Sequence, residues 1–164
     1  MFEVLVFVYE HYWRGDACPE LQQLERRLSA HGFEAGEIRD ALVWLDGLNL
    51  AAQSASLPHV ADRAPVPQAL SPQSCASMRV YSVAEQDHLG AQCLGFISFL
   101  ESSGVLPAPM REIVVDRAMA APGGPVALDD LKIIVLMVYW SFGQEPDALV
   151  LDELCDDSDN RLAH

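Results

Sequence analysis

The sequence predicts a mainly α-helical protein, in which an N-terminal three-helix winged-helix-like unit with a small β-hairpin precedes a C-terminal helical bundle. Three observations predict it. Apolar residues recur at spacings of three and four over most of the chain, which is typical of amphipathic helices. Glycine and proline separate these segments, as they do at helix ends. Residues 133–140 are all apolar, and a helix without a polar side must be covered all round.

The first part of the chain carries three helical patterns. Residues 1–13 place apolar side chains on one helical face, and residues 19–31 begin at a proline, which favours the first turn of a helix. Gly32 suits the end of that second helix, where a positive φ is needed. In residues 35–48, Ile38, Ala41 and Leu45 recur on one side. Three short helices with tight joints are typical of a helix-turn-helix unit.

A hairpin completes the predicted winged-helix-like lobe, residues 1–82. Residues 48–57 are interpreted as one strand and residues 78–82 as a second strand. The Pro/Ala-rich wing loop spans about residues 51–77, and its composition is typical of a connection without a packed core. The order of three helices, strand, long loop and strand is the order expected of a winged helix.

The second part, residues 83–155, is predicted to be a four-helix bundle packed on the first lobe. Ser82 and Glu85 have the spacing of a capping box, which begins a long helix that runs to about Ser103. Further helices follow from Pro107, from Asp129 and, as a short last helix, over residues 147–155. Residues 156–164 form an acidic tail. The apolar helix from Asp129 needs cover, which either its own chain or a second copy in a homo-oligomer would supply.

The charge of the chain argues against direct nucleic-acid binding. The chain has 24 acidic and 10 basic residues, a net charge of −14 at pH 7, and affinity for phosphates depends on Lys and Arg. The outward positions of the third helix, which would enter a DNA groove in a winged helix, are mostly acidic. They are Glu34, Glu37, Arg39, Asp40 and Asp46. A partner protein therefore suits this lobe better than DNA does.

No catalytic, metal-binding or cofactor-binding residues are predicted. His88 and Cys93 lie five residues apart, but Cys93 falls on an apolar helical stripe, which favours a core thiol over a nucleophile. The sequence also shows no secretory signal and no apolar run of the ~20 residues that a membrane span requires. We therefore expect a cytoplasmic protein that is not an enzyme and does not enter a membrane.

A surface for an unknown protein partner is predicted at Met78, Arg79 and Tyr81, where an arginine lies beside an aromatic residue. Arginine and tyrosine are enriched where protein interfaces have their anchors. The most favoured function is a non-enzymatic protein-interaction adaptor. The alternative is a DNA-associated regulator or DNA-processing accessory factor, which requires Arg39, Arg63 and Arg79 to converge on one face.

Several stretches of the sequence resemble the Smg proteins of bacteria, in the same order along the chain. They include MFEVLVFVYEHY at the start, HGFEAGEIRDALVWLDGL in the first lobe, SMRVYS and CLGFISFLE in the middle, and LDDLKIIVLMVYWSF near the end. The resemblance implies a cytoplasmic bacterial protein without an assigned activity or catalytic residue. The genomic neighbourhood of such proteins further implies a link to DNA processing or translation.

Overall fold

A computed structural model describes residues 1–12, 21–56 and 79–144, and these ranges form six α-helices. In chain order they are α1 Phe2–Tyr12, α2 Leu21–Ala30, α3 Ala35–Ser56, α4 Val83–Ser102, α5 Ala108–Met119 and α6 Leu128–Ser141. The prediction of a mainly α-helical protein is confirmed over these ranges. None of these helices combines the length and apolar character needed to cross a membrane.

Helix α6 lies at the centre of the described helices. Its side chains are buried almost without interruption from Leu131 to Tyr139, and α1, α3, α4 and α5 pack around it. The Tyr139 hydroxyl donates a hydrogen bond to the carbonyl of Val105, which ties α6 to the loop before α5. The cover that an apolar helix requires thus comes from the same chain.

The N-terminal helices follow the predicted pattern. Ile38, Ala41 and Leu45 of α3 are buried and face α1 and α2, which contribute Leu5, Val8, Leu24 and Leu28 to the same core. Gly32 has a φ of 90° and ends the turn after α2, as its position in the sequence predicts. The exposed side of α3 carries Asp40 and Asp46, so the acidic outward face is also confirmed.

The predicted β-hairpin is not found. Residues 48–56 are helical, because α3 continues to Ser56, and no strand occurs in the described parts of the chain, which include residues 79–82. Leu48 and Ala52 are buried one helical turn apart, and this spacing continues the stripe that Leu45 begins. The strand prediction for residues 48–57 is therefore wrong up to Ser56, and the winged-helix unit is not supported.

Other predictions lie outside the described residues. They are Met78, the rest of the wing loop (residues 57–77), the short last helix (residues 147–155) and the acidic tail (residues 156–164).

Helix α4 bends at Gly90, where the sequence predicts an uninterrupted helix. Gly90 has φ 67° and ψ 171°, a conformation that L-residues with a side chain rarely adopt. The bend frees the carbonyl of His88, which accepts a hydrogen bond of 2.8 Å from the Val126 amide. The Cys93 thiol donates to the Val126 carbonyl at 3.4 Å. Val126, between α5 and α6, thus holds both sides of the bend.

The two predicted lobes share one hydrophobic core. α1 packs against α6, and α3 packs against α5 and α6. The Trp44 indole of α3 donates a hydrogen bond of 2.8 Å to the carbonyl of Arg117 in α5. The division of the chain at residue 82 stays a prediction, but the helices on its two sides are joined by buried contacts.

Candidate functional site

Arg79 ties the segment that precedes α4 to two helices. Its Nε donates to both carboxylate oxygens of Glu112 in α5, at 2.9 and 3.0 Å. Its Nη2 donates to Glu85 in the first turn of α4 at 2.8 Å. The Arg79 side chain is only 16% exposed. Hydrogen bonds between ions at these distances are stronger than neutral ones, so residues 79–82 are anchored although they are not helical.

Ser82 and Glu85 form the predicted capping box. The Ser82 amide donates to the Glu85 carboxylate at 2.7 Å, and the Glu85 amide donates to the Ser82 hydroxyl at 3.3 Å. The hydrogen bond from Arg79, followed by that from the Ser82 amide, lowers the pKa of Glu85 from 4.5 to about 2. Glu85 is therefore fully ionised at neutral pH and holds both Arg79 and the helix start.

A second arginine extends this cluster. Arg111 in α5 is buried and donates to Glu101 of α4, and also to Glu112 at 2.7 and 3.0 Å. Glu112 consequently lies between Arg79 and Arg111. The Glu101–Arg111 pair binds the C-terminal end of α4 to α5, while Arg79 binds its N-terminal end to α5.

Tyr81 lies beneath the Arg79 guanidinium, with 4.4 Å between the Arg79 Cζ and the ring centroid. This distance is typical of a cation–π interaction. Burial raises the pKa of Tyr81, although the positive charges of Arg79 and Arg111 act in the opposite direction. The Tyr81 hydroxyl and the Arg79 Nη1 are buried and have no hydrogen-bond partner among the described residues. Burial alone would lower the pKa of Arg79, but its hydrogen bonds to Glu85 and Glu112 raise it.

Two valines project from this anchored segment. Val80 is 87% exposed and Val83 is 73% exposed, although both are large apolar residues. We call these two valines, together with the inward-facing Arg79 and Tyr81 that support them, the 79–83 surface. The structure therefore brings two of the three predicted partner-binding residues together, and Met78 lies outside the described residues. The sequence reasoning missed Val80, although strict alternation with the inward-facing Arg79 and Tyr81 would have placed it outward.

Helix α3 carries a second exposed apolar pair. Val43 is 68% exposed and Leu50 is 60% exposed, and both lie on the solvent side of the helix. A groove of about 290 Å³ lies beside Val43, between α2 and α3. The sequence analysis assigned only charged residues to this outward side.

Cys93 and His88 do not form a reactive pair. Cys93 is buried, burial raises the pKa of its thiol, and the thiol donates to Val126. The imidazole Nε2 of His88 lies 3.2 Å from the Ala118 carbonyl. Both side chains stabilise the packing of α4 against neighbouring segments, in agreement with the predicted core thiol. Within the described ranges, no three His, Cys, Asp or Glu side chains are arranged to hold a metal ion.

A family model described as a protein of unknown function (DUF494) matches residues 1–164, the full chain. Curated relatives match over their full length as well. A Protein Smg homolog of Leptothrix cholodnii is 62% identical over 100% of both chains, and one of Methylibium petroleiphilum is 59% identical with the same coverage.

The chain belongs to the Smg family. A more distant relative, the Protein Smg homolog of Bordetella avium, is 48% identical, again over 100% of both chains. The resemblance drawn from the sequence stretches is thereby confirmed. No solved structure matches this Smg family chain.

Proposed function

We propose that this Smg family protein is a non-enzymatic, cytoplasmic adaptor that binds a partner protein through the 79–83 surface. The observation that carries the proposal is the exposure of Val80 and Val83 on a segment that is anchored by Arg79, Tyr81 and Glu85. Single exposed apolar residues are common, but two that project from one fixed support form an apolar patch of the kind that protein interfaces use.

The anchoring reduces the entropic cost of binding. A segment that is already held by Glu85 and Glu112 does not lose further backbone freedom when a partner docks. The two valines would then contribute apolar area directly. Met78, which the sequence analysis included in this surface, adds a third apolar side chain to the proposal.

The alternative function is a DNA-associated regulator or DNA-processing accessory factor. It requires Arg39, Arg63 and Arg79 on one face. Arg79 is engaged by two carboxylates and Arg63 lies outside the described residues. A phosphate would have to compete with both glutamates for Arg79, and the net charge of −14 opposes the approach of nucleic acid.

The test is affinity purification of the tagged protein from its native cytoplasm, at two salt concentrations and with or without nuclease. We compare the wild type with the Val80→Ser/Val83→Ser variant. Phe99→Ser is the control, because Phe99 is an exposed apolar residue outside the 79–83 surface. The proposal predicts a discrete protein that resists nuclease and is lost only from the valine variant.

Two results would contradict this proposal. Recovery that vanishes with nuclease and falls steeply with salt would mean that nucleic acid holds the complex, in favour of the alternative. A partner retained in full by the Val80→Ser/Val83→Ser variant would show that the 79–83 surface is not the docking site.

A further inference from the structure

The solvent side of α3 presents an apolar pair that no other described helix covers. Val43 and Leu50 are separated by seven residues, which is two helical turns or ~10.5 Å along the axis. They therefore lie on the same side of α3. We call this side, together with the groove between α2 and α3, the α2–α3 face.

The groove gives this face a concave part beside the apolar pair. Glu25 and Ser29 of α2 form one wall, and Ile38, Leu42 and Val43 of α3 form most of the other. Its volume of about 290 Å³ is at the lower limit of small-molecule pockets, which span roughly 300–1,000 Å³. The groove is also open to solvent, so it suits one or two side chains of a docked segment better than an enclosed ligand.

Carboxylates flank Val43, and Asp46 also lies one turn before Leu50. Asp40 and Asp46 lie on either side of Val43 on the helix, Glu34 directly precedes α3, and Glu25 lines the groove together with Arg39. Arg39 is the basic residue of this side of α3. Within the described parts of the chain, none of these four carboxylates forms an ion pair, unlike Glu85, Glu101 and Glu112. Their charges therefore remain available to a partner.

We propose that the α2–α3 face binds a basic amphipathic helix of another protein. The apolar stripe of such a helix would cover Val43 and Leu50 and place one side chain in the groove, while its Lys and Arg residues would face Asp40 and Asp46. Helices bind apolar grooves in this manner through anchors at spacings of three, four and seven residues. The inference uses residues other than those of the 79–83 surface and does not depend on that surface being functional.

Charge favours a basic helix over a second copy of this chain as the molecule that binds the α2–α3 face. Two copies would bring two identical acidic faces together, each on a chain with a net charge of −14, and like charges across an interface are unfavourable. A basic helix has the complementary charge. Its binding is expected to weaken as salt rises, because the carboxylates of the face are exposed to solvent.

The probe is a fluorescent synthetic helix of about 18 residues, five turns, with leucine on one side and lysine on the other. Binding is measured by fluorescence anisotropy with the full-length protein. Control peptides replace all lysines by glutamate or all leucines by serine. The proposal predicts binding of the Lys/Leu peptide alone, with amide chemical-shift changes in α2 and α3.

Two pairs of substitutions separate the contribution of the apolar residues to peptide binding from that of the carboxylates. Val43→Ser/Leu50→Ser is expected to weaken binding of the Lys/Leu peptide at least ~10-fold, the equivalent of ~1.4 kcal/mol in binding free energy. Asp40→Asn/Asp46→Asn is expected to weaken it ~5-fold and to flatten its salt dependence. Phe99→Ser removes exposed apolar area on α4, outside both proposed surfaces, and is expected to leave peptide binding unchanged. Far-ultraviolet circular dichroism confirms that each variant is folded.

Four outcomes would overturn the inference. They are failure of the Lys/Leu peptide to bind, equal binding of the peptide by the Val43→Ser/Leu50→Ser variant, chemical-shift changes outside α2 and α3, and a dimer in sedimentation velocity that this variant abolishes. A peptide that fails to bind leaves the 79–83 adaptor proposal intact, since that proposal is tested by Val80→Ser/Val83→Ser in the native cytoplasm. Conversely, loss of the cytoplasmic partner has no bearing on the peptide measurement.

Discussion

The Tyr81 hydroxyl is a buried polar group without a hydrogen-bond partner among the described residues. Burying such a group without a partner costs about 1–3 kcal/mol. The ring beneath Arg79 accounts for the aromatic character of this position but not for its hydroxyl. The unpaired hydroxyl therefore distinguishes Tyr81 from an ordinary packing residue.

Removal of this hydroxyl is expected to stabilise the protein. Tyr81→Phe keeps the ring beneath Arg79 and removes the unpaired group, so the free energy of unfolding should rise by up to ~1 kcal/mol. Tyr139→Phe is the matched control, because the Tyr139 hydroxyl donates to Val105. Its loss leaves a carbonyl unpaired and should cost ~1–2 kcal/mol. Urea unfolding measures both, and a destabilised Tyr81→Phe would contradict the assignment.

Glu85 makes part of the stability depend on pH. Its pKa is about 2 in the folded protein against the ordinary 4.5, so folding favours the ionised form. The resulting stabilisation is present above pH 4.5 and is lost as pH falls from there towards 2. Glu85 is partly open to solvent, so the contribution at pH 7 is expected to be no more than ~1 kcal/mol, as for other surface ion pairs.

The check is urea unfolding of the wild type and Glu85→Gln at several pH values between 7 and 2.5. The variant should be less stable at pH 7, and the difference should shrink as the pH approaches 2. Asp87→Asn, in the same turn of α4, serves as the control for loss of a surface charge. A difference between the wild type and Glu85→Gln that does not change with pH would argue against the pairing with Arg79.

At the scale of the element, the bend in α4 depends on one residue. Gly90 has a positive φ and has no neighbouring atom where a Cβ would lie, so only backbone strain opposes a side chain there. Gly90→Ala should lower the free energy of unfolding by ~1–2 kcal/mol. Gly95→Ala, at an exposed helical position of α4 with equal space, should raise it by ~0.5–1 kcal/mol. Equal effects of the two substitutions would mean that α4 is straight.

The exposed apolar pair of α3, Val43 and Leu50, was not found from the sequence. The inner face of α3 was recognised from Ile38, Ala41 and Leu45, and its acidic outer positions from their charge. Val43 lies between Asp40 and Asp46, and Leu50 lies one turn after Asp46, where a polar residue is the usual expectation for a solvent-exposed helix face. Only the exposed fractions of their side chains identify them as an apolar surface.

At the scale of the whole molecule, the described helices are expected to unfold together. α1 packs on α6 and α3 packs on α5, so neither predicted lobe buries its apolar side chains alone. Circular dichroism and tryptophan fluorescence, to which the buried Trp44 contributes, should report one coincident transition in urea. Two separate transitions would instead support independent units divided near residue 82.

The sequence by itself determined the helices, because apolar spacing, the Ser82 capping box and the glycine after α2 are local signals. It also determined the acidic outer side of α3, and it placed Arg79 beside Tyr81. It was wrong about residues 48–56, whose apolar and small residues fit a short strand as well as a helix. It also missed the bend at Gly90, because a single glycine inside a helical pattern is usually tolerated.

The tertiary structure alone decided which side chains of these elements are buried, paired or exposed. The cover of α6, the pairing of Arg79 with Glu85 and Glu112, and the exposure of Val43, Leu50, Val80 and Val83 all depend on contacts between segments distant in the chain. The physical reason is that burial is a property of the packed molecule. The sequence contains the same valine whether a neighbouring helix covers its side chain or leaves it exposed to water.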